Sequence, residues 1–211
     1  MTAHGTTAHG GPGPVPALRL ADAREAADLA AFLARLIHYD RAAAVRLQAG
    51  GGVLAVFGRP PSFEVLAVRT ARLAPACAGA PEALDTTVSA GQLAEALGEA
   101  APAGPAGAAD LPADGLQVTV PPAVTGPPWA GVLPPRGGWQ RVPGLPGAEA
   151  VRAAVAAAVA EFRARDEALP AEHRTRAERD RIGREIWSRT LGDTGLPLRA
   201  VHAAQALGFL R

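Results

Sequence analysis

Strand-like alternation in this chain is confined to residues 43–120, and helical periodicity lies on either side of it. Strands joined by short turns pair antiparallel, because a parallel pair needs a long crossover. The expected fold is therefore α+β: an antiparallel sheet of about four to six strands, flanked by an N-terminal helix and a C-terminal helical segment.

The elements read as follows. Asp22 with Glu25 three residues on makes a capping-box-like start. Leu29, Phe32, Leu33, Leu36 and Ile37 then form one apolar stripe, with Arg24, Asp28 and Arg35 off it. Residues 43–48 alternate, Val45 and Leu47 opposing Arg46 and Gln48. Gly50–Gly52 supplies a turn, since glycine tolerates positive φ. Residues 53–57 are apolar throughout and are expected to form a central strand. After Pro60-Pro61, residues 62–70 are expected as a third strand with Phe63, Val65 and Ala67 on one face. Residues 84–88 make a short fourth strand, and Ser89 with Gln92 caps a short helix. Leu116, Val118 and Val120 alternate as a further strand.

Composition punctuates the chain. Residues 1–16 are expected as a disordered tail. Residues 17–147 form the α+β domain, with a mobile Ala/Gly/Pro loop at 99–113 and a Pro/Gly/Trp-rich segment at 121–147. Prolines bar that segment from helix and from central strands. It reads as an extended cover pinned by Trp129 and Trp139; the alternative is a recognition segment. Residues 148–211 are expected to be helical and to pack on the same domain, in stretches 149–169, 172–190 and 198–207. Leu207, Phe209 and Leu210 read as a C-terminal lock onto a core.

Residue usage excludes several chemistries. There is no lysine and no asparagine, which reads as the bias of a GC-rich bacterial genome. Without lysine there is no Walker A loop, no pyridoxal Schiff base and no lysine nucleophile. The single cysteine, Cys77, excludes an intrachain disulfide and a paired-cysteine zinc site. Ser89 lies in TVSAG, which lacks the first glycine of a nucleophile elbow. His38, Tyr39 and Asp40 are adjacent, but successive residues on a helix point apart. Asp85, Thr86 and Thr87 sit at a strand end without a second carboxylate cluster at metal-binding spacing. No catalytic residue, cofactor site or metal site is expected from this pattern.

A net charge of +1 gives no field that selects nucleic acid or a membrane. The N-terminus has no positive charge before Arg19 and no apolar stretch, so no signal peptide is expected. No apolar run approaches the ~20 residues of a membrane span, and the expected location is the cytoplasm. Arginines from Arg163 to Arg189 interleave with acids in i,i+4 order: Glu161–Arg165, Glu172–Arg176, Asp180–Arg184, Glu185–Arg189. That is the pattern of a solvated, self-neutralised face.

The expected function is a non-enzymatic protein-interaction module or adaptor, with Trp129, Arg136, Trp139, Arg199 and His202 as candidate partner-binding residues. One alternative is DNA association. In it, residues 181–189, the GDTGLP turn and residues 198–207 form a helix-turn-helix outline that exposes Arg199, His202 and Gln205. The turn exceeds the usual length for that motif. The other alternative is an enzyme of unrecognised type built from His38, Asp40 or Asp85.

Overall fold

The computed structural model describes residues 16–75, 84–100, 115–134, 137–138, 140 and 144–210. The expectations for most of the N-terminal tail, for most of the 99–113 loop, and for Cys77, Arg136 and Trp139 lie outside the described residues.

The chain folds as α+β, in the order β1 (Ala17–Leu20), α1 (Ala23–Tyr39), β2 (Ala44–Gly50), β3 (Val53–Gly58), β4 (Ala67–Arg72), β5 (Leu84–Ser89), α2 (Ala90–Ala100), β6 (Leu116–Thr119), α3 (Ala148–Glu167), α4 (Arg176–Ser188) and α5 (Leu198–Ala206). One antiparallel sheet has the order β4-β3-β2-β5, and β1 pairs with β6 beside it. A bridge between Leu20 and Leu73 joins the two.

The capping readings translate directly into geometry. Asp22 Oδ1 accepts the Glu25 N–H at 2.9 Å and opens α1. Ser89 Oγ accepts the Gln92 N–H at 3.5 Å where β5 runs into α2. Gly51 and Gly52 adopt φ of 59° and 76°, the left-handed pair of a two-residue hairpin. That turn sets Gly50 opposite Val53 and fixes the register of everything beyond it. Val45, Leu47, Leu54 and Val56 fall on the face under α1 and α2 and are fully or almost fully buried. Arg46, Gln48, Ala55 and Phe57 fall on the other face; a one-residue slip would exchange the two sets.

Two expectations are corrected, and one element is added. Residues 62–66 are not strand. The chain turns after Pro60-Pro61, Glu64 takes φ of 52°, and β4 begins only at Ala67. Phe63 leaves the sheet for a buried place beside Tyr39. The 172–190 helix begins at Arg176, because Thr175 Oγ1 accepts the Glu178 N–H at 3.2 Å and Ala171–His173 forms a separate 3-10 turn. β1 is an element the pattern does not announce, its four residues being too short for a periodic signal.

The sheet is covered by α1 and α2, whereas α3, α4 and α5 pack chiefly on one another. Val151, Val155 and Val201 form one cluster, and Ala158, Ile182 and Ile186 another. The charge pairing along α3 and α4 is partly between helices. Arg165 grips Glu185 with two bonds of 2.8 Å, and Arg189 grips Glu161 at 2.7 and 2.9 Å. The i,i+4 pairs Glu161–Arg165 and Glu185–Arg189 close the square. Hydrogen bonding from Arg165 holds the Glu185 carboxyl down to about 2, against the opposing effect of burial. Arg176 faces Asp180 at 3.8 Å instead of Glu172, which lies outside α4.

Of the three expected lock residues, Leu207 and Phe209 reach the core of the sheet, whereas Leu210 packs on the Val151, Val155 and Val201 cluster. Leu207 is fully buried in the same core cluster as α1 and the sheet. Phe209 meets Phe32 edge-on at 5.8 Å, and the Arg69 guanidinium lies 4.9 Å from the Phe209 ring centre.

Candidate binding face of the sheet

The face turned away from α1 and α2 carries two cross-strand rows. One is Asp85–Gln48–Ala55–Thr70 and the next is Thr87–Arg46–Phe57–Val68. Arg46 Nε donates to Asp85 Oδ1 at 2.7 Å, and its Nη1 donates to Thr87 Oγ1 at 3.2 Å. Gln48 Nε2 donates to the second Asp85 oxygen at 3.2 Å. The one acid and one base of these rows thus satisfy each other. The remainder is apolar apart from Thr70, and a cavity of about 730 Å³ opens there, lined by Gln48, Ala55, Phe57, Val68, Thr70 and Pro134 among others.

The β5 side of this face is covered by the proline-rich segment. The Val124 N–H donates to the Thr87 carbonyl at 2.9 Å, and Pro121 and Ala130 are buried. Gly126 fits because it has no side chain: a Cβ there would sit 3.1 Å from Thr87 and 3.2 Å from Ala130. Residues 124, 126 and 127 line two further cavities. One, about 310 Å³, includes Arg46, Asp85 and Thr87. The other, about 730 Å³, includes Asp40, Arg59, Ser89 and Trp129.

The expected site residues distribute as follows. Trp129 is half-buried in the 3-10 turn Pro128–Gly131 and lines the cavity shared with Asp40. Asp40 ends α1, its N–H donating to the Leu36 carbonyl and its carboxylate accepting from the Ala42 N–H, both at 2.9 Å. Asp85 lines the smaller cavity, and His38 lines none of these three. Among the described residues, none of these three cavities is lined by more than one of His38, Asp40 and Asp85.

Arg199 and His202 turn inward to the seam between α5 and the sheet domain. Arg199 pairs with Glu64. His202 stacks on Trp187 at 4.7 Å with an interplanar angle of 22°, and Phe63 meets it edge-on at 5.0 Å. Tyr39 and then His38 continue the aromatic row behind Phe63. Gln205 stays exposed. Sequence reasoning misses this seam, because Phe63 fits the alternation of a strand.

Burial holds the His202 imidazole below its ordinary pKa. Arg199 and Glu64 are the charged groups that meet at the same seam. The unfolded chain takes the proton first, so the stability from neutral His202 is complete above about pH 6.5 and falls as pH drops below it. Urea midpoints measured from pH 8 to pH 5 are expected to decline in this range. His202→Phe is expected to flatten that decline; an identical decline in both proteins would place the titrating group elsewhere.

Comparison with known families divides the chain near the end of the cover segment. Residues 14–131 match a family described as a domain of unknown function (DUF8010), and residues 134–211 match a second domain of unknown function (DUF8185). No curated protein and no solved structure matches the chain. The first match takes the sheet, α1, α2 and the cover through Gly131; the second takes the three C-terminal helices.

Proposed function

The chain belongs to the DUF8010 family, and we propose that it is a cytoplasmic, non-enzymatic protein-interaction module that takes its partner on the open face of the sheet. The observation that carries this reading is the apolar cavity of about 730 Å³ beside Ala55, Phe57 and Val68. Its polar neighbours Arg46, Gln48 and Asp85 are already bonded to one another. A concave apolar patch in water is costly by roughly 25 cal/mol for each Å², and a partner that covers it removes that cost.

DNA association has less support. Arg199 and His202 are engaged at the seam, and Arg165, Arg179, Arg181 and Arg189 each hold a carboxylate. Phosphates would have to displace those acids. An enzymatic reading has less support as well, since none of the three cavities on this face is lined by more than one of His38, Asp40 and Asp85. Among the described residues, no helix is long and apolar enough to cross a membrane.

Selection of random dodecapeptides on phage tests the proposal. Peptides enriched on the protein are expected to lose at least about tenfold in affinity on Ala55→Glu, which puts a charge in the cavity without touching the helix-covered face. Unchanged urea unfolding would show that the variant is folded. Equal binding to both proteins, or no enrichment, would overturn the reading. Salt-sensitive fluorescence anisotropy with duplex DNA would favour the DNA alternative.

A further inference from the structure

The register of the sheet fixes which backbone groups face outward. Across a two-residue turn the flanking residues form a hydrogen-bonded pair. Gly50 and Val53 are that pair, so Val53, Ala55 and Phe57 bond toward β2, and Leu54, Val56 and Gly58 bond toward β4. Their partners on β4 are Ala71, Arg69 and Ala67. Val68, Thr70 and Arg72 consequently direct N–H and C=O to the outer side of β4.

Observed bonds follow this phase. The Leu73 N–H donates to the Gly52 carbonyl at 2.8 Å, continuing the β3–β4 ladder. The Ala21 N–H donates to the outward Arg72 carbonyl at 2.9 Å. On β5, the same count points the Thr87 carbonyl outward, where Val124 takes it. One edge of the sheet is thus occupied by the cover segment, and the far end of β4 by the entry to α1. Among the described residues, nothing bonds the outward groups of Val68 or Thr70.

An exposed strand edge is ordinarily blunted by charge, proline or a bulge. The two charged residues of β4 are turned to other tasks. Arg69 lies against Phe209, and Arg72 holds Asp22 and Glu25 at 2.9 and 2.7 Å. Thr70 is exposed, and Val68 and Thr70 also line the apolar cavity. Free backbone and apolar cavity are therefore contiguous on the same two residues.

We propose that β4 is a strand-addition site for an extended segment of a partner protein. The segment lies along β4 as a fifth strand, exchanges backbone hydrogen bonds with Val68 and Thr70, and places every second side chain on the open face beside Val68 and Thr70, at the rim of the apolar cavity. The partner chemistry is a short run, about five residues, with uncharged apolar side chains at alternate positions. A small apolar molecule or a lipid surface offers no matching row of donors and acceptors. Self-pairing of two copies through Val68 and Thr70 would set the two Arg69 residues opposite each other, like charges across the strands. This inference rests on the interaction-module reading and names the kind of partner.

The test uses the phage-selected peptides as synthetic probes on the intact protein. Each is made with N-methyl groups on its odd amides or on its even amides. One set is expected to lose about tenfold or more in affinity and the other to bind unchanged, because only alternate amides face β4. Amide exchange at Val68 and Thr70 is expected to slow on binding. Peptides that need Ala55 yet ignore the methylation phase, with no protection at these amides, would overturn strand addition and leave the interaction module standing. Failure of the unmethylated synthetic peptides to bind the protein would overturn both. Concentration-dependent dimerisation with protection of the same amides, before any peptide is added, would overturn the partner-segment form in favour of a second copy.

Discussion

Leu207→Ala is expected to lower the unfolding free energy by about 2–5 kcal/mol, measured by urea denaturation. The side chain is fully buried and joins the core that α1 and the sheet build together. Its removal deletes apolar contacts and leaves a cavity between elements that α1 and β3 already hold in place, so collapse around it is limited. Gly208 then turns the chain with φ of 74°, and the Phe209 N–H donates to the Ala204 carbonyl at 2.8 Å, which aims Phe209 at Phe32. The same substitution is expected to loosen α3, α4 and α5 from the sheet domain, seen as faster proteolysis near residues 144–147. A cost below about 1 kcal/mol would show that the site relaxes and that the helices are held by the His202 seam instead.

Gly115→Ala is expected to cost about 3 kcal/mol or more, read as a fall in Tm, from two independent causes. The residue holds φ of 77°, a left-handed conformation that a side chain disfavours. A Cβ there would also press on the Leu20 carbonyl oxygen and lie 2.8 Å from the Ala74 Cβ. Leu20 is where β1 pairs with both β6 and the end of β4, so the backbone has no cheap way to move. Gly98→Ala is the control. It sits in α2, where an added Cβ would meet nothing within 4 Å, and is expected to stabilise by about 0.5–1 kcal/mol. Equal effects at the two positions would overturn the packing argument.

What can be read from the sequence is what depends on neighbours in the chain. The Asp22 cap, the diglycine hairpin and the alternation of β2 each need only a few adjacent residues, and each forms as read. The lock is legible because Leu207 and Phe209 are large apolar residues after a helix end. The binding face is legible only in part. Arg46 and Gln48 are visible as the polar side of a strand, but the meeting of Arg46 with Asp85 depends on β2 and β5 being neighbours across 39 residues of chain. The seam around His202 is hidden for a local reason. Phe63 fits a strand pattern, and only the left-handed turn at Glu64 takes it out of the sheet. The square of Glu161, Arg165, Glu185 and Arg189 shows its two intrahelical sides in the spacing; the two interhelical sides require knowing that α3 and α4 pack together.

The two family matches meet between residues 131 and 134, yet the hydrophobic core ignores that boundary. Leu207 belongs to the second match and closes a core that otherwise belongs to the first. Protein synthesis runs from the N-terminus, so the sheet, α1 and α2 leave the ribosome well before the residue that completes them. Until position 207 has cleared the exit tunnel, the nascent sheet domain lacks the buried Leu207 side chain that completes its core. That interval is when the chain is most exposed to aggregation and to chaperones. Separating the two segments by expressing residues 1–131 alone makes the interval permanent.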